Sequence, residues 1–361
     1  MKLAWRLALG GALIAASLAG CSTLGYYTQA AQGQISLLAD SRPIDEVIAD
    51  PATAPKLKIK LETARQIRAY AVANLALPDN KSYRNYTALQ RPFVVWNVVA
   101  APALSLKPIQ WCFPVAGCVN YRGYYAKEDA MAYAKELRDA GYDVQVGGVS
   151  AYSTLGYFND PLISTFINYP DAELARLIFH ELSHQVVYVG GDSQFNESFA
   201  SAVEEAGVEQ WLTRFGNQAM RENYEKYTAR RQEFLELLLA CRRGLEANYK
   251  SKASDREKLA EKARLFAQLQ TDYAVQKAKW GGYAGYDRFF AEPLSNAHLA
   301  AVATYSDFVP AFRTLLKREG SFPAFYAAAR RLAALDKPER HKRLMALGGI
   351  KSDAIAPSQD E

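Results

Sequence analysis

The 361-residue chain contains no Cys-x-x-Cys pair, which removes the usual cysteine cradle for structural zinc. It has no apolar run near the roughly 20 residues needed to cross a bilayer. No internal repeat is visible. Charge of one sign is scarce too: 43 Lys+Arg face 38 Asp+Glu, and two of the positive residues, Lys2 and Arg6, sit in a terminal segment that reads as an address. That balance gives no reason to expect nucleic acid as a partner. Only four histidines are present, and two of them stand four residues apart. Against these absences, half the residues are hydrophobic and 22% are charged, which suits a folded chain with a substantial core in two or three lobes.

The amino terminus has the layout of a leader. Lys2 and Arg6 precede a short apolar run, Leu7 to Ala19, which ends in Leu18-Ala19-Gly20-Cys21 followed by Ser22. This resembles the lipobox of a bacterial lipoprotein precursor, which implies lipid on Cys21 and a soluble body outside the cytoplasm, anchored to a membrane. Ser22 resembles the outer-membrane sorting pattern, so the expected location is the outer membrane, facing the periplasm. A plain secretory signal is the alternative. In an oxidising compartment Cys112 and Cys118, six apart around a turn-like stretch, could close a small disulfide loop or remain two buried thiols. Cys241 lies in an apolar helical stretch and reads as a core thiol.

Periodicity divides the rest. Residues 1–20 form the leader and 21–90 a helical region broken by Pro43, Pro51 and Pro55. Residues 91–215 form the expected catalytic core. Strands are predicted at Phe93–Val99, Val115–Tyr121, Tyr142–Val149 and Ala151–Tyr157. Helices are predicted at Lys127–Ala140, Asp171–Val187 and Phe195–Phe215. Residues 216–280 read as a helical hairpin turning near Asn248–Ser254. Residues 281–347 read as an aromatic loop and further helices at Asn296–Tyr305, Phe308–Leu316 and Phe322–Leu335. The polar tail, 348–361, reads as disordered. The fold class is α+β, with a small sheet and one crossing helix in the middle region.

The chemistry concentrates in Phe179-His180-Glu181-Leu182-Ser183-His184-Gln185. Histidines at i and i+4 leave one face of a helix a turn apart, so both imidazoles can reach a single Zn²⁺. Glu181 lies alongside as a general base for water. Two imidazoles do not complete a catalytic site, which usually has three protein ligands and an open position. No third histidine follows at the metzincin spacing. Asn196-Glu197-Ser198-Phe199-Ala200 opens the next helix, thirteen residues beyond His184 at Glu197, after a Gly190-Gly191-Asp192 turn. Glu197 is either the third ligand or a first-turn carboxylate favoured by the helix dipole. Glu204, seven residues past Glu197, and Ser201, four past it, are candidates to take the second N–H of a ligand histidine.

The Asn-Glu-x-x-Ala pattern resembles the gluzincin arrangement, in which a downstream helix supplies the glutamate ligand. By that resemblance a further Tyr or His would stabilise the tetrahedral oxyanion. Tyr305 is the candidate, with His298, Tyr283 and Tyr286 competing. Two other runs, Phe113 to Tyr125 and Ala151 to Leu162, together with His180–Gln185 and Phe195–Ala200, are similar to a bacterial family of predicted aminopeptidases, lipoproteins carrying a zinc-peptidase motif. The resemblance extends over most of the mature chain. It implies a zincin-like fold, Zn²⁺ held by His180, His184 and Glu197, and hydrolysis of a peptide substrate. The Gly-x-Met-Glu-Asn element that binds the free α-amine in well-known aminopeptidases is absent, so internal cleavage stays open. A non-catalytic envelope lipoprotein that binds a partner through Arg221–Lys279 is the reading from another class, and a hydrolase of non-peptide substrates a third. Glu181 argues against a purely structural metal.

Overall fold

A computed structural model describes residues 25–113, 117–300, 302 and 308–349 of the chain. Cys21, the leader, Tyr305 and residues 350–361 lie outside the described residues. The fold is α+β and 61% helical. Helix α1 covers residues 25–39. Then come α2 (Ile44–Ala49) and α3 (Pro55–Leu75), whose first residue is a proline already set at a helical φ. Two short strands, β1 (Arg42–Pro43) and β2 (Asn85–Thr87), also arise in this stretch, which the periodicity presents as helical. The period-3.6 signal cannot register strands of two or three residues.

The middle region holds β3 (Val95–Pro102), β4 (Trp111–Phe113), β5 (Gly117–Val119), β6 (Arg122–Tyr124), α4 (Lys127–Asp139), β7 (Tyr142–Val149) and β8 (Leu162–Ile163). Strands β6, β3 and β7 form an antiparallel sheet with β3 in the centre, registered by Trp96 opposite Tyr124 and Val98 opposite Val146. Val98, Ala100 and Val144 on one face pack against Ala130 and Ala134 of α4. Strands β4 and β5 make a separate hairpin closed by a Cys112–Cys118 disulfide. A third sheet orders β1, β2 and β8, with β2 and β8 parallel.

The expected strand Ala151–Tyr157 is a loop instead. Thr154 donates both its N–H and its hydroxyl to Asp160, at 3.0 and 2.7 Å, which closes the segment on itself. Leu155 and Gly156 turn left-handed at φ of 56° and 83°.

Helices then dominate: α5 (Asp171–Ser183), α6 (Ser193–Phe215), α7 (Gln218–Lys250), α8 (Asp255–Lys279), a 3₁₀ turn (Asp287–Phe290), α9 (Asn296–Ala300), α10 (Val309–Glu319), α11 (Phe322–Ala333) and α12 (Lys337–Gly348). Helices α7 and α8 form the expected hairpin. Ser254 and Glu257 satisfy each other's backbone at the start of α8 as a capping box. The hairpin has its own core around Phe234, Leu238, Cys241 and Phe266, and Cys241 is a free, buried thiol. Among the described residues, no helix is long and apolar enough to cross a membrane.

The main core lies between α3, α5, α6, α10 and α11, where Phe199 stacks on Phe325 at 5.5 Å and meets Phe312 edge-on at 5.7 Å. Gly207 lets α6 approach closely: a Cβ there would stand 2.7 Å from Leu75 and 2.9 Å from Phe179. Helix α12 has no counterpart in the sequence reading. It is held by Asp192, which caps α6 through the Phe195 N–H and binds Arg340 at 2.8 Å and His341 at 2.9 Å. Both partners of the Arg340–Asp192 pair are buried.

Burial opposes ionisation of Asp192, but His341, the Phe195 N–H and Arg340 together hold its carboxyl below the ordinary value. Such a group stabilises the fold above its unfolded pKa and loses that contribution as pH falls through the lower folded one. Asp192→Asn is expected to cost about 3 kcal/mol in urea unfolding at neutral pH. The difference from wild type should shrink as pH drops below about 3.9.

Candidate metal centre

Helix α5 is built to carry ligands. Pro170 sets its entry, Asp171 and Glu173 occupy the first turn, and Lys60 of α3 ties that end down through Asp171 at 2.6 Å and the Tyr169 carbonyl at 2.7 Å. Leu174, Ile178, Phe179 and Leu182 bury its back. The helix ends at Ser183, four residues before the predicted Val187. The Ser183 hydroxyl donates to the His180 carbonyl at 2.6 Å, and the Gln185 and Val186 amides bond back by only three residues. His184 therefore stands at the C-cap, one turn beyond His180.

The chain returns along α6 because Asn196 clasps the connecting loop. Its side-chain oxygen accepts the Val189 N–H and its amide donates to the Val189 carbonyl, both at 2.8 Å. One turn into α6, Glu197 faces the two histidines. The Nε2 atoms of His180 and His184 are 3.1 Å apart, and Glu197 oxygens lie 3.3 Å from His180 Nε2 and 3.8 Å from His184 Nε2. Three donors about 2.0–2.2 Å from one ion at tetrahedral angles are separated by roughly 3.3–3.5 Å, so these edges fit a single divalent cation. His180, His184 and Glu197 could hold a metal ion.

Behind the ligands stands Glu204, fully buried. It accepts His180 Nδ1–H at 2.8 Å, which leaves the Nε2 lone pair for a metal. Arg176, one turn before His180, donates Nη1 to both Glu204 oxygens at 3.0 and 3.2 Å, and Arg231 of α7 approaches at 3.5 Å. Burial pushes Glu204 towards the neutral acid, but Arg176, His180 and Arg231 overcome it and hold the carboxyl at about 2. For His180 the balance is similar: burial disfavours its charged form, and Glu204 and Glu197 outweigh burial, raising it to about 10 without metal, so a cation takes up the Nε2 lone pair by displacing a proton. His184 has less carboxylate support, and burial draws it down to about 4. Its Nδ1 is buried with no hydrogen-bond partner among the described residues.

Glu181 lies beside the cluster and makes no hydrogen bond among the described residues. Burial raises it; His180 opposes, Glu197 and Asp160 add, and the result is about 7. Gln185 anchors the far side by donating to the Ser82 hydroxyl at 3.2 Å and accepting from Asn80 at 2.5 Å. Just after Ser82, Tyr83 adopts a left-handed φ of 60°.

Of the residues singled out in the sequence, His180, Glu181, His184, Glu197 and Glu204 come together. Ser201 does not join them; its hydroxyl is buried and finds no partner among the described residues. His298 packs against Phe289 at 5.4 Å and accepts the Ser295 N–H. Tyr286 stacks on Phe234 at 4.0 Å, and Tyr283 carries Arg230 over its ring at 4.4 Å. All three serve packing. Arg176 escaped the sequence reading although its i−4 spacing from His180 places it on the ligand face. Asn80 gave no signal, since only the tertiary fold brings it to Gln185.

A close-set pair of imidazoles and a carboxylate, with a second carboxylate alongside that makes no hydrogen bond among the described residues, marks an α+β protein that could hold a metal ion. The family described as Putative aminopeptidase matches residues 25–344, and the chain belongs to it. Neither the curated proteins nor the solved structures contain a match to the chain.

Replacing the acceptor behind His180 should loosen the metal without emptying the ligand set. Glu204→Gln is expected to weaken metal affinity about 10–100-fold. Competition with a chromophoric chelator reads this directly.

Proposed function

We propose that the protein is a zinc-dependent aminopeptidase of gluzincin type with a zincin-like core, anchored by lipid on Cys21 at the periplasmic face of the outer membrane. One observation carries the catalytic part: two imidazoles and a carboxylate converge at single-ion distances while the Glu181 carboxylate remains unengaged beside them. The donor set, two nitrogens and one oxygen, suits Zn²⁺ and leaves a position open. Membership of the aminopeptidase family supports a peptide as substrate. The Cys112–Cys118 disulfide supports an oxidising compartment, and Leu18-Ala19-Gly20-Cys21 supports the anchor.

His180, His184 and Glu197 would hold the ion. Bound there, it would polarise the scissile carbonyl and lower the pKa of water. Glu181 takes the proton from the attacking water and passes it to the leaving amine, so one carboxylate serves as base and then as acid. Glu204 and Arg176 keep His180 oriented and its Nε2 free. The main core and the Asn196 clasp fix the separation of the two ligand helices.

Glu181→Gln is the direct test. It should retain the zinc of wild type and lose about 10²–10⁴-fold in peptide hydrolysis. Equal cleavage by both proteins would remove Glu181 from the mechanism. Product masses distinguish the mode: loss of single amino-terminal residues marks an aminopeptidase, internal fragments an endopeptidase.

A further inference from the structure

In a chain that is 22% charged, the stretch from Ser22 to Ala39 holds no Asp, Glu, Lys or Arg. Helix α1 takes up residues 25–39 of it, about 22 Å of helix. Its inner side is fastened along the edge strand β6. Gln29 donates to the Gly123 carbonyl at 3.3 Å and accepts the Tyr125 N–H at 3.1 Å, and Gln34 accepts the Tyr125 hydroxyl at 2.8 Å. Gly33 makes room for the same tyrosine, since a Cβ there would stand 2.1 Å from its ring. Leu37 enters the main core.

The outer side is apolar and exposed. Tyr27, Ala31 and Ile35 follow one another at i, i+4 and i+8 on one face, Tyr27 41% and Ile35 66% exposed. Beside them run Thr28, Gln32 and Ser36, polar but uncharged. A helix on a water-facing surface carries charged residues on that side, and α1 has none. Its place in the chain says what covers it. Cys21 stands four residues before Gly25, and four residues span at most about 14 Å. A helix that begins so near an acylated cysteine stays at the bilayer surface. A second copy of the chain is a poorer occupant, because three side chains offer far less than the roughly 800 Å² per partner of a stable dimer.

We infer that the outer face of α1 lies in the interfacial layer of a phospholipid bilayer, with Tyr27, Ala31 and Ile35 turned into the lipid. This rests on the lipid-anchored reading above. The acyl chains hold one point of the protein; the helix adds a second contact and sets how the body sits. Tyr27 suits the boundary, its ring edge-on to Phe113 at 6.5 Å and its phenol able to stay among the headgroups. Anionic lipid is not needed, since α1 has no charge to meet it. The contact also reaches the metal centre. Tyr26 stacks on Phe113 of the β4–β5 hairpin at 5.6 Å, and Gly117 of that hairpin lies so close to the α5–α6 loop that a Cβ on it would stand 3.1 Å from the Gly191 nitrogen. The ligand helices are thus joined to the membrane-facing helix through packed elements.

The test places single nitroxide labels in the full, acylated chain reconstituted in phosphatidylcholine vesicles. Labelling is selective, because Cys112 and Cys118 are bonded to each other, Cys241 is buried and Cys21 would carry the lipid. Tyr27→Cys, Ala31→Cys and Ile35→Cys are compared with Leu259→Cys and Val275→Cys on α8, where the natural side chains are 45% and 54% exposed. Labels on α1 should meet oxygen more often than a water-soluble nickel chelate and report a depth of about 5–10 Å. That depth should persist in about 1 M salt, where charge attraction is screened. The α8 labels should report water. Protein that stays with the vesicles while its α1 labels are as open to nickel as those on α8 overturns this inference alone. So does dipolar broadening between labels at Ile35→Cys, which puts a second copy on the face. A purified chain with no acyl mass on Cys21 that washes off the vesicles removes the anchor reading and this inference with it.

Discussion

A carboxylate with no contact to water stands behind the candidate metal ligands, and its charge must be kept. Glu204 alone in that position would shed its charge, since the effective penalty for burying an ion is several kcal/mol. Arg176 on two oxygens, His180 Nδ1 and the nearby Arg231 offset that penalty together. The consequence passes outward. An ionised Glu204 fixes the His180 tautomer, the tautomer points Nε2 at His184 and Glu197, and the three donors close to single-ion distances. The arginines hold the carboxylate, the carboxylate holds the imidazole, and the imidazole is free for a cation.

The rest of the fold serves the geometry of two helices. Asn196 turns the chain back by bonding both backbone groups of Val189, and Asp192 starts α6 while tying in α12. Phe195 and Phe199 bury the far side of α6 against Phe312 and Phe325, so Glu197 and Glu204 are left on the side facing α5. Ser198 fastens the start of α10 by accepting the Phe308 N–H at 3.3 Å. Loops around Asn80 and Asp160 close on the opposite side, where Gln185 follows the second histidine. A core of aromatic rings and a ring of buried polar clasps thus meet at the ends of one short helix.

Much of this arrangement is legible in the residue order. The i, i+4 histidines carry helical geometry in their spacing, and the glycine pair before Asp192 marks the turn that lets Glu197 return. Glu204 follows from counting two helical turns past Glu197. The α7–α8 hairpin shows in its length and in the Ser254–Glu257 box. What eludes the sequence is set by partners far along the chain. Ala151–Tyr157 has the composition of a strand, but Asp160 captures Thr154 and the backbone turns left-handed. The β2–β8 pairing joins strands some 75 residues apart. Helix α5 stops early as the Gln185 and Val186 amides bond back by three residues, while the Ser183 hydroxyl shares the His180 carbonyl with the His184 N–H. Arg340 and Asp192 lie far apart in the chain and meet only after α12 docks.

X-ray absorption at the zinc edge of the purified, zinc-loaded protein tests the central claim most directly. The account predicts a first shell of low-Z atoms only, near 2.0–2.1 Å, with the multiple-scattering pattern of two imidazoles. In His184→Ala the pattern should fall to one imidazole. A shell containing sulfur, or two-imidazole scattering that survives the loss of His184, would contradict it.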